Sequence, residues 1–372
     1  MSTTSSRALQ CAFLLSLVVP APAATQAVIA QAEPSQEDAA NAAERKKAAN
    51  RARRSEPFYA APDLFEFKLT TNIKRVRADK QDKAPWRAAT VSFTDASGKQ
   101  VEIPSRVRTR GIWRLKNCEF PPLRMNFTSE ATKGTLLEGV DKPKLVNFCE
   151  NTDAYEQLIM QELQLYRIYS VLTPASHRAR LARITYADSA SGRTHATRVG
   201  IVIEEPEVMA ARLGGELVEI KGATSHDLQP SQDVLASVFQ YLIGNTDWST
   251  NGLHNMELVR QEDGDHLPIP YDFDFAGAID APYATVDPKL KVQRVRQRVY
   301  RGYCHPPEEF EKVFTLFNEK KPAIYALYSD AIGSRLSKRT ADLTLKYFDD
   351  FYETINDPKR AKKQIIDACL KG

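Results

Sequence analysis

The chain is poor in the residues that mark several common chemistries. It holds six histidines and five cysteines among 372 residues, with no CxxC pair, so a structural zinc site is not expected. No GxSxG, HExxH, GxxxxGK[ST] or GxGxxG occurs, which leaves a serine hydrolase, a zinc protease and a Rossmann oxidoreductase without support. No stretch beyond the amino terminus is long and apolar enough to cross a bilayer, so no membrane span is expected. Charge of one sign is lacking too. The 51 Lys/Arg against 47 Asp/Glu argue against bulk binding to nucleic acid.

What is present begins with a leader. Met1 to Arg7 is polar with one positive charge, Ala12 to Val19 is a short apolar run, and Pro20-Ala-Pro-Ala23 supplies small residues for cleavage. Residues 1–23 read as a signal peptide, and the mature protein as periplasmic or secreted. Cys11 leaves with the leader. The remaining Cys118, Cys149, Cys304 and Cys369 allow two disulfides in three pairings in an oxidising compartment. Residues 24–57 carry Ala, Gln, Glu, Lys and Arg with almost nothing large and apolar, and read as a disordered linker or frayed helix.

From residue 58 to 205 the pattern is strand-rich. Phe65 to Leu69 alternates, Ala89 to Phe93 meets Val101 to Ile103 across an Asp95–Gly98 turn, and Leu123–Phe127 and Lys144–Phe148 look like further strands. A helix starts at Asp153, with Glu156 completing a capping-box-like start, and Glu162 falls on its apolar face. A hairpin over 181–203 follows. Residues 206–372 are mainly helical, with Ser231–Ile243 ended by Gly244. A small strand-rich lobe with one helix thus precedes a larger helical lobe, an α+β arrangement.

The most informative stretch is GNTDWSTNGLHNMELVRQEDGDHLPIPYDFDFAG, residues 244–277. Asn255–Arg260 and Leu267–Phe275 read as strands joined around Asp263-Gly264. With a two-residue loop, Asn255 lies across from Asp272, roughly 5 Å away at Cβ. Alternation adds Asp274 to that face and sends Tyr271, Phe273 and Phe275 to the other. Two converging carboxylates and an amide repel and lose hydration unless a hard cation joins them. Mg²⁺ takes such oxygens at about 2.1 Å and bridges to phosphate. Asp247, in the loop after the helix, is placed to orient or deprotonate a hydroxyl. Lys289 to Arg301 carries six basic residues and reads as a solvated or inter-lobe face. His254, Trp113 and Trp248 read as structural or packing residues.

At these residues the chain resembles the spore coat protein H-like (CotH-like) kinases, an atypical secretory branch of the protein-kinase fold. Arg110-Gly-Ile-Trp113 followed by Pro121 to Phe127 is similar to that family's RG-x-x-W segment and next strand. Gly200 to Glu204 is similar to its strand leading to the hinge, Gly244 to Asp247 with Asn255 to its catalytic loop, and Tyr271 to Asp274 to its metal motif. The resemblance spans about residues 60 to 300. It implies a two-lobed kinase-like fold, Asp247 as catalytic residue, and Asn255, Asp272 and Asp274 as ligands of Mg²⁺ or Mn²⁺. It also implies a Lys144–Glu162 ion pair positioning the phosphates of ATP, with Lys116 as a substitute for Lys144, and Arg110-Gly111 in place of a glycine-rich loop. The partners are then a nucleotide and a protein or small-molecule acceptor. Two other readings stay open: an inactive kinase-fold binding protein of the envelope, and a DxD-type glycosyl or nucleotidyl transferase.

Overall fold

Alternating burial along the strands sets the first half of the structure. This is a computed structural model that describes residues 36–371, so the leader at 1–23 and residues 24–35 of the following segment lie outside the described residues. Strand β1 (Phe65–Thr71) buries Phe65, Phe67, Leu69 and Thr71 and turns the residues between them outward. Strands β2 (Arg87–Thr94), β3 (Gln100–Thr109), β4 (Leu123–Phe127), β5 (Lys144–Val146), β6 (Ala179–Asp188) and β7 (Thr194–Ile203) complete the set. They close into a barrel in the order β1-β2-β3-β4-β5-β7-β6. The closing pair is parallel, Phe65 to Thr71 against Ala182 to Asp188, while the other pairs are antiparallel. Val91, Phe93, Ile103, Val107, Met125, Ile184 and Tyr186 share one core with the β1 side chains. Burying each such side chain contributes about 1.5–3 kcal/mol.

This closure corrects the expected fold class. The two-lobed kinase-like α+β arrangement needs an open strand-rich lobe, and here pairing of β1 with β6 leaves no free edge. Alternation tells which face of a strand is buried. It carries no information on whether the first and last strands meet, so an open sheet and a barrel look alike in sequence.

Residues 36–57, read as linker or frayed helix, belong to a helix over Gln36–Ala60. Ala48, Ala52, Ser55 and Phe58 form its buried face. Gly139, at φ +85°, lies so close that a Cβ there would stand 2.6 Å from the Arg51 carbonyl and the Ser55 nitrogen. Small residues on a helix therefore achieve here by close approach what large ones achieve by area. Arg51 adds ion pairs to Asp141 at 2.7 Å and Glu205 at 3.5 Å.

The second core gathers the helices Asp153–Leu172, Pro230–Ile243, Pro307–Ala326 and Lys338–Asn356 around Phe239, Phe273, Phe310, Phe317, Phe348 and Phe351, all fully buried. The first of these is capped by Thr152, whose hydroxyl accepts from the Tyr155 N–H, one residue before the expected start. Strands β8 (Glu216–Val218), β9 (Met256–Arg260) and β10 (His266–Pro270) make a small separate sheet in the order β10-β9-β8. From Ala42 onward the described residues form one compact unit. Of the three possible pairings, the disulfides are Cys118–Cys149 and Cys304–Cys369. Among the described residues no helix is long and apolar enough to cross a membrane.

The β9–β10 register differs from the expected one by one residue. Arg260 pairs with His266 and Met256 with Pro270, so Asn255 faces Tyr271, whose N–H donates to the Asn255 carbonyl at 3.2 Å. The cause is the turn. Gln261 closes on Asp265 at 2.8 Å, leaving a three-residue loop with Gly264 at φ +94°.

Candidate functional site

A one-residue slip would send Asn255 and Asp272 to opposite faces if both were in strands. Neither is. Asn255 has φ +51° and Asp272 φ +61°, left-handed conformations that bend the chain just before β9 begins and two residues after β10 ends. Asn and Asp tolerate that region better than most residues, because their short polar side chains compensate locally. The result is that Asn255, Asp272 and Asp274 line one cleft with Asp247, although strand alternation does not bring them there.

The cleft has a volume of about 630 Å³ and two unlike walls. The end of β3 and the start of β4 supply Arg108, Arg110 and Arg124, with the Arg110-Gly111 turn between them; Gly111 takes φ +86°. The opposite wall is the acidic set. Arg108 lies over the Trp86 ring at 4.5 Å, which fixes its direction. Burial, aided by Arg110 and Arg108, lowers the Arg124 pKa against the opposing field of Glu207 and Glu205. Crowded cations of this kind favour an anion between them.

Asp247 is set by the end of the Pro230–Ile243 helix. Gly244 takes φ +65° as its C-cap, and a Cβ there would collide with the Tyr347 hydroxyl. Buried Asn245 accepts from the Asp247 N–H at 2.9 Å, and Trp248 donates to the Asn245 carbonyl at 3.1 Å. The Asp247 carboxylate then meets His254 Nε2 at 2.8 Å through Oδ1, and Asn255 Nδ2 at 3.1 Å through Oδ2. The hydrogen bond to Asp247 raises the His254 pKa against partial desolvation. Asn251, in the same loop, is exposed on the intervening turn and does not line the cleft.

Asp274 is buried, and its Oδ2 has no hydrogen-bond partner among the described residues. Burial first, and then the Asp272 carboxylate, push its pKa up to about 7. Glu162, also buried with Oε1 unpartnered, is pushed well above the usual carboxylate range by burial, then by Asp274 and Asp272. The cation in this acidic field is Arg114. Burial opposes its charge, but Tyr283, Asp274, Glu162 and Asp272 together leave its pKa raised.

Lys144 does not pair with Glu162. Its Nζ is 3.0 Å from Glu257 Oε1 and 4.1 Å from the centre of the Tyr271 ring, and it lies behind the cleft wall instead of lining it. His177 Nε2 approaches the other Glu257 oxygen at 2.7 Å. Burial alone would raise the Glu257 carboxyl, but Lys144 and His177 hold it down to about 2. Glu257 occupies β9, a strand residue with no mark in sequence as a lysine partner. Lys116, the other candidate, is exposed and away from the cleft.

Sequence reasoning also missed Arg114, His254 and Tyr283. Arg114 directly follows the RGIW segment, and its apolar neighbours were the available signal that it is buried. Trp113 is 38% exposed and packs on Tyr283 at 5.0 Å and Phe275 at 5.9 Å, whereas Trp248 is a core residue as read.

The donor set fits a hard divalent cation. Asn255 spends its amide nitrogen on Asp247 and keeps Oδ1, Asp272 lines the same cleft, and among the described residues Asp274 Oδ2 is unpartnered. Among the described residues no group of three or more His, Cys, Asp or Glu side chains is placed to hold a metal ion by itself. Two carboxylates and an amide would leave coordination positions for water and phosphate oxygens, as Mg²⁺ sites do. Compared with known proteins, the chain matches no family model and no curated protein.

Proposed function

We propose that the chain is a metal-dependent phosphotransferase of the periplasmic or secreted space, moving a phosphoryl group from a nucleotide such as ATP to a hydroxyl acceptor. The observation that carries the proposal is the meeting of Asp247, Asn255, Asp272 and Asp274 with Arg108, Arg110 and Arg124 across one cleft. The resemblance to the CotH-like kinases supports the roles of the acidic residues, and they are taken over here without the two-lobed fold. The leader-like amino terminus and the two disulfides support the compartment.

The arginine wall binds and orients the phosphate chain, where bidentate guanidinium contacts act most strongly. Asn255, Asp272 and Asp274 would hold Mg²⁺ or Mn²⁺, which neutralises charge on the phosphate oxygens when bound. Asp247 receives the proton of the acceptor hydroxyl as its oxygen bonds to phosphorus and the bond to the nucleoside diphosphate breaks. Each Asp247 oxygen keeps a lone pair beyond its bonds to His254 and Asn255. His254, by fixing Oδ1, orients the carboxylate. Arg114 and Glu162 form the buried layer beside Asp274 that keeps the acids in place.

Thermal unfolding of the mature protein with Mg²⁺ or Mn²⁺ and ATP tests the proposal. At 100-fold excess over Kd, ligand adds about 2.7 kcal/mol, a shift of a few degrees, and Asp272→Ala removes it. Phosphate transfer from ATP should vanish in Asp247→Ala, whose nucleotide-dependent shift remains. No shift with any metal–nucleotide pair would sink the idea. A shift with sugar nucleotides alone would turn it into the glycosyltransferase reading.

A further inference from the structure

Asp272 holds its left-handed backbone, φ +61°, beyond the last strand pair of the hairpin. Residues in that region persist where surrounding contacts over-determine them, so something outside the hairpin must fix this one. The Tyr271 N–H still belongs to the hairpin and donates to the Asn255 carbonyl at 3.2 Å. The next N–H, that of Asp272, leaves it and donates to the Tyr166 hydroxyl at 2.9 Å. Tyr166 is a buried residue of the helix Asp153–Leu172, far from Asp272 in sequence. The bond is made largely away from bulk water, where a lost partner is not replaced.

The ring of the same tyrosine reinforces the bond. Phe273 packs on Tyr166 with ring centres 4.7 Å apart, and on its other side meets Phe239 of the helix Pro230–Ile243 at 5.4 Å. One side chain therefore grips two consecutive residues, Asp272 by its backbone and Phe273 by its ring. With that N–H turned into the fold and that ring fully buried, the Asp272 carboxylate is left facing the cleft. Glu162 lies one turn before Tyr166 on the same helix, and Asp274 and Asp272 are the acids whose field reaches it. A single helix face thus sets both the charge around the two aspartates and the backbone geometry of one of them. Tyr166 itself does not line the cleft.

We propose, resting on the metal-dependent reading above, that Tyr166 is a positioning residue for the cation site: its hydroxyl holds the Asp272 N–H and so aims the Asp272 carboxylate at the metal. Outer partners of this kind touch no ligand, yet they set metal affinity by orienting the groups that do.

Tyr166→Phe keeps the ring on Phe273 and removes the hydroxyl alone. Tyr169→Phe is the control. Tyr169 is equally buried on the same helix, and its hydroxyl accepts from Gln232 Nε2 at 2.8 Å, with no bond to Asp272. Mn²⁺ binding without nucleotide, followed by the electron-spin signal of the free ion, should weaken about tenfold or more in Tyr166→Phe and stay at the wild-type value in Tyr169→Phe. Hydrogen exchange resolved to single amides, measured without metal, gives a second readout. The Asp272 amide should exchange faster in Tyr166→Phe only, while the Tyr271 amide keeps its protection. Unchanged Mn²⁺ affinity in Tyr166→Phe when wild type binds, an unchanged Asp272 exchange rate, or equal losses in the two variants overturns the proposal. A wild type that binds no Mn²⁺, with the exchange contrast intact, supports Tyr166 as the anchor of Asp272 and counts against the metal reading alone.

Discussion

Two buried charge networks lie on either side of Tyr271 and are built on opposite terms. Behind it, Lys144 and His177 flank Glu257: Lys144 donates to Oε1 at 3.0 Å, His177 Nε2 lies 2.7 Å from Oε2 without the geometry of a hydrogen bond, and the carboxyl is held down to about 2. In front of it, Asp272, Asp274 and Glu162 crowd together with Arg114 as their main buried cation, and two of their oxygens have no partner. The first network is stabilised by its own members. The second carries surplus negative charge that the fold does not relieve. Buried charge paired within the chain belongs to structure, and buried charge left over is where a ligand can supply what is missing.

The sharpest way to break the contrast is to remove Glu257. Glu257→Ala leaves Lys144 buried without its acid and should cost about 3–5 kcal/mol, read by urea unfolding. The sign with pH follows from the depressed carboxyl. Its stabilisation is present above the ordinary glutamate value near 4.3 and is lost as pH falls toward about 2, so the variant should lose the wild-type's extra acid sensitivity in that window. A loss below 1 kcal/mol would show that Glu257 is not the compensating group.

Next in size, replacing Cys118 and Cys149 by serine should cost about 2–4 kcal/mol, since the bridge closes a loop of 31 residues. The serine pair also frees the segment carrying Arg114, so the metal–nucleotide shift should shrink with it. An undiminished shift would show that the bridge does not position the site.

Asp274→Asn should move stability the other way. The acid is raised to about 7, so its folded form binds a proton more readily than the unfolded one. Wild-type protein therefore gains stability as pH falls from about 7 to 4 and is penalised above. The variant should flatten that slope, gain about 1–2 kcal/mol at pH 8 and lose the response to Mg²⁺. Destabilisation at pH 8 would instead place Asp274 among the self-satisfied charges. The smallest effect belongs to Asp272→Gly. Relief of the left-handed backbone should add about 0.5–1 kcal/mol by thermal unfolding while the metal response disappears.

Much of the local structure was legible. The strands at 65–71, 87–94 and 123–127, the 179–203 hairpin and the helices from Asp153 and Pro230 follow from alternation, turn residues and caps. The acidic residues were legible as a group because YDFD and NTD concentrate oxygen donors in a short span. The route by which they meet was not. Hairpin register depended on whether the loop held two residues or three, and Asp263-Gly264 suits both. Two left-handed residues then brought together what alternation would have parted. Long-range pairing was the least visible of all: nothing in Lys144 favours Glu257 over Glu162, and nothing in β1 names β6.

The joining of β1 to β6 also bears on how the chain reaches its final form. Residues 65–71 are made long before residues 179–188, so an emerging chain carries one side of Phe65, Phe67 and Leu69's strand with no neighbour until synthesis has passed Asp188. Contacts so far apart in sequence are slow to find each other, and a lone strand edge invites pairing with other copies. Prompt seaming of that first stave to a partner made more than a hundred residues later decides between a native molecule and an aggregate.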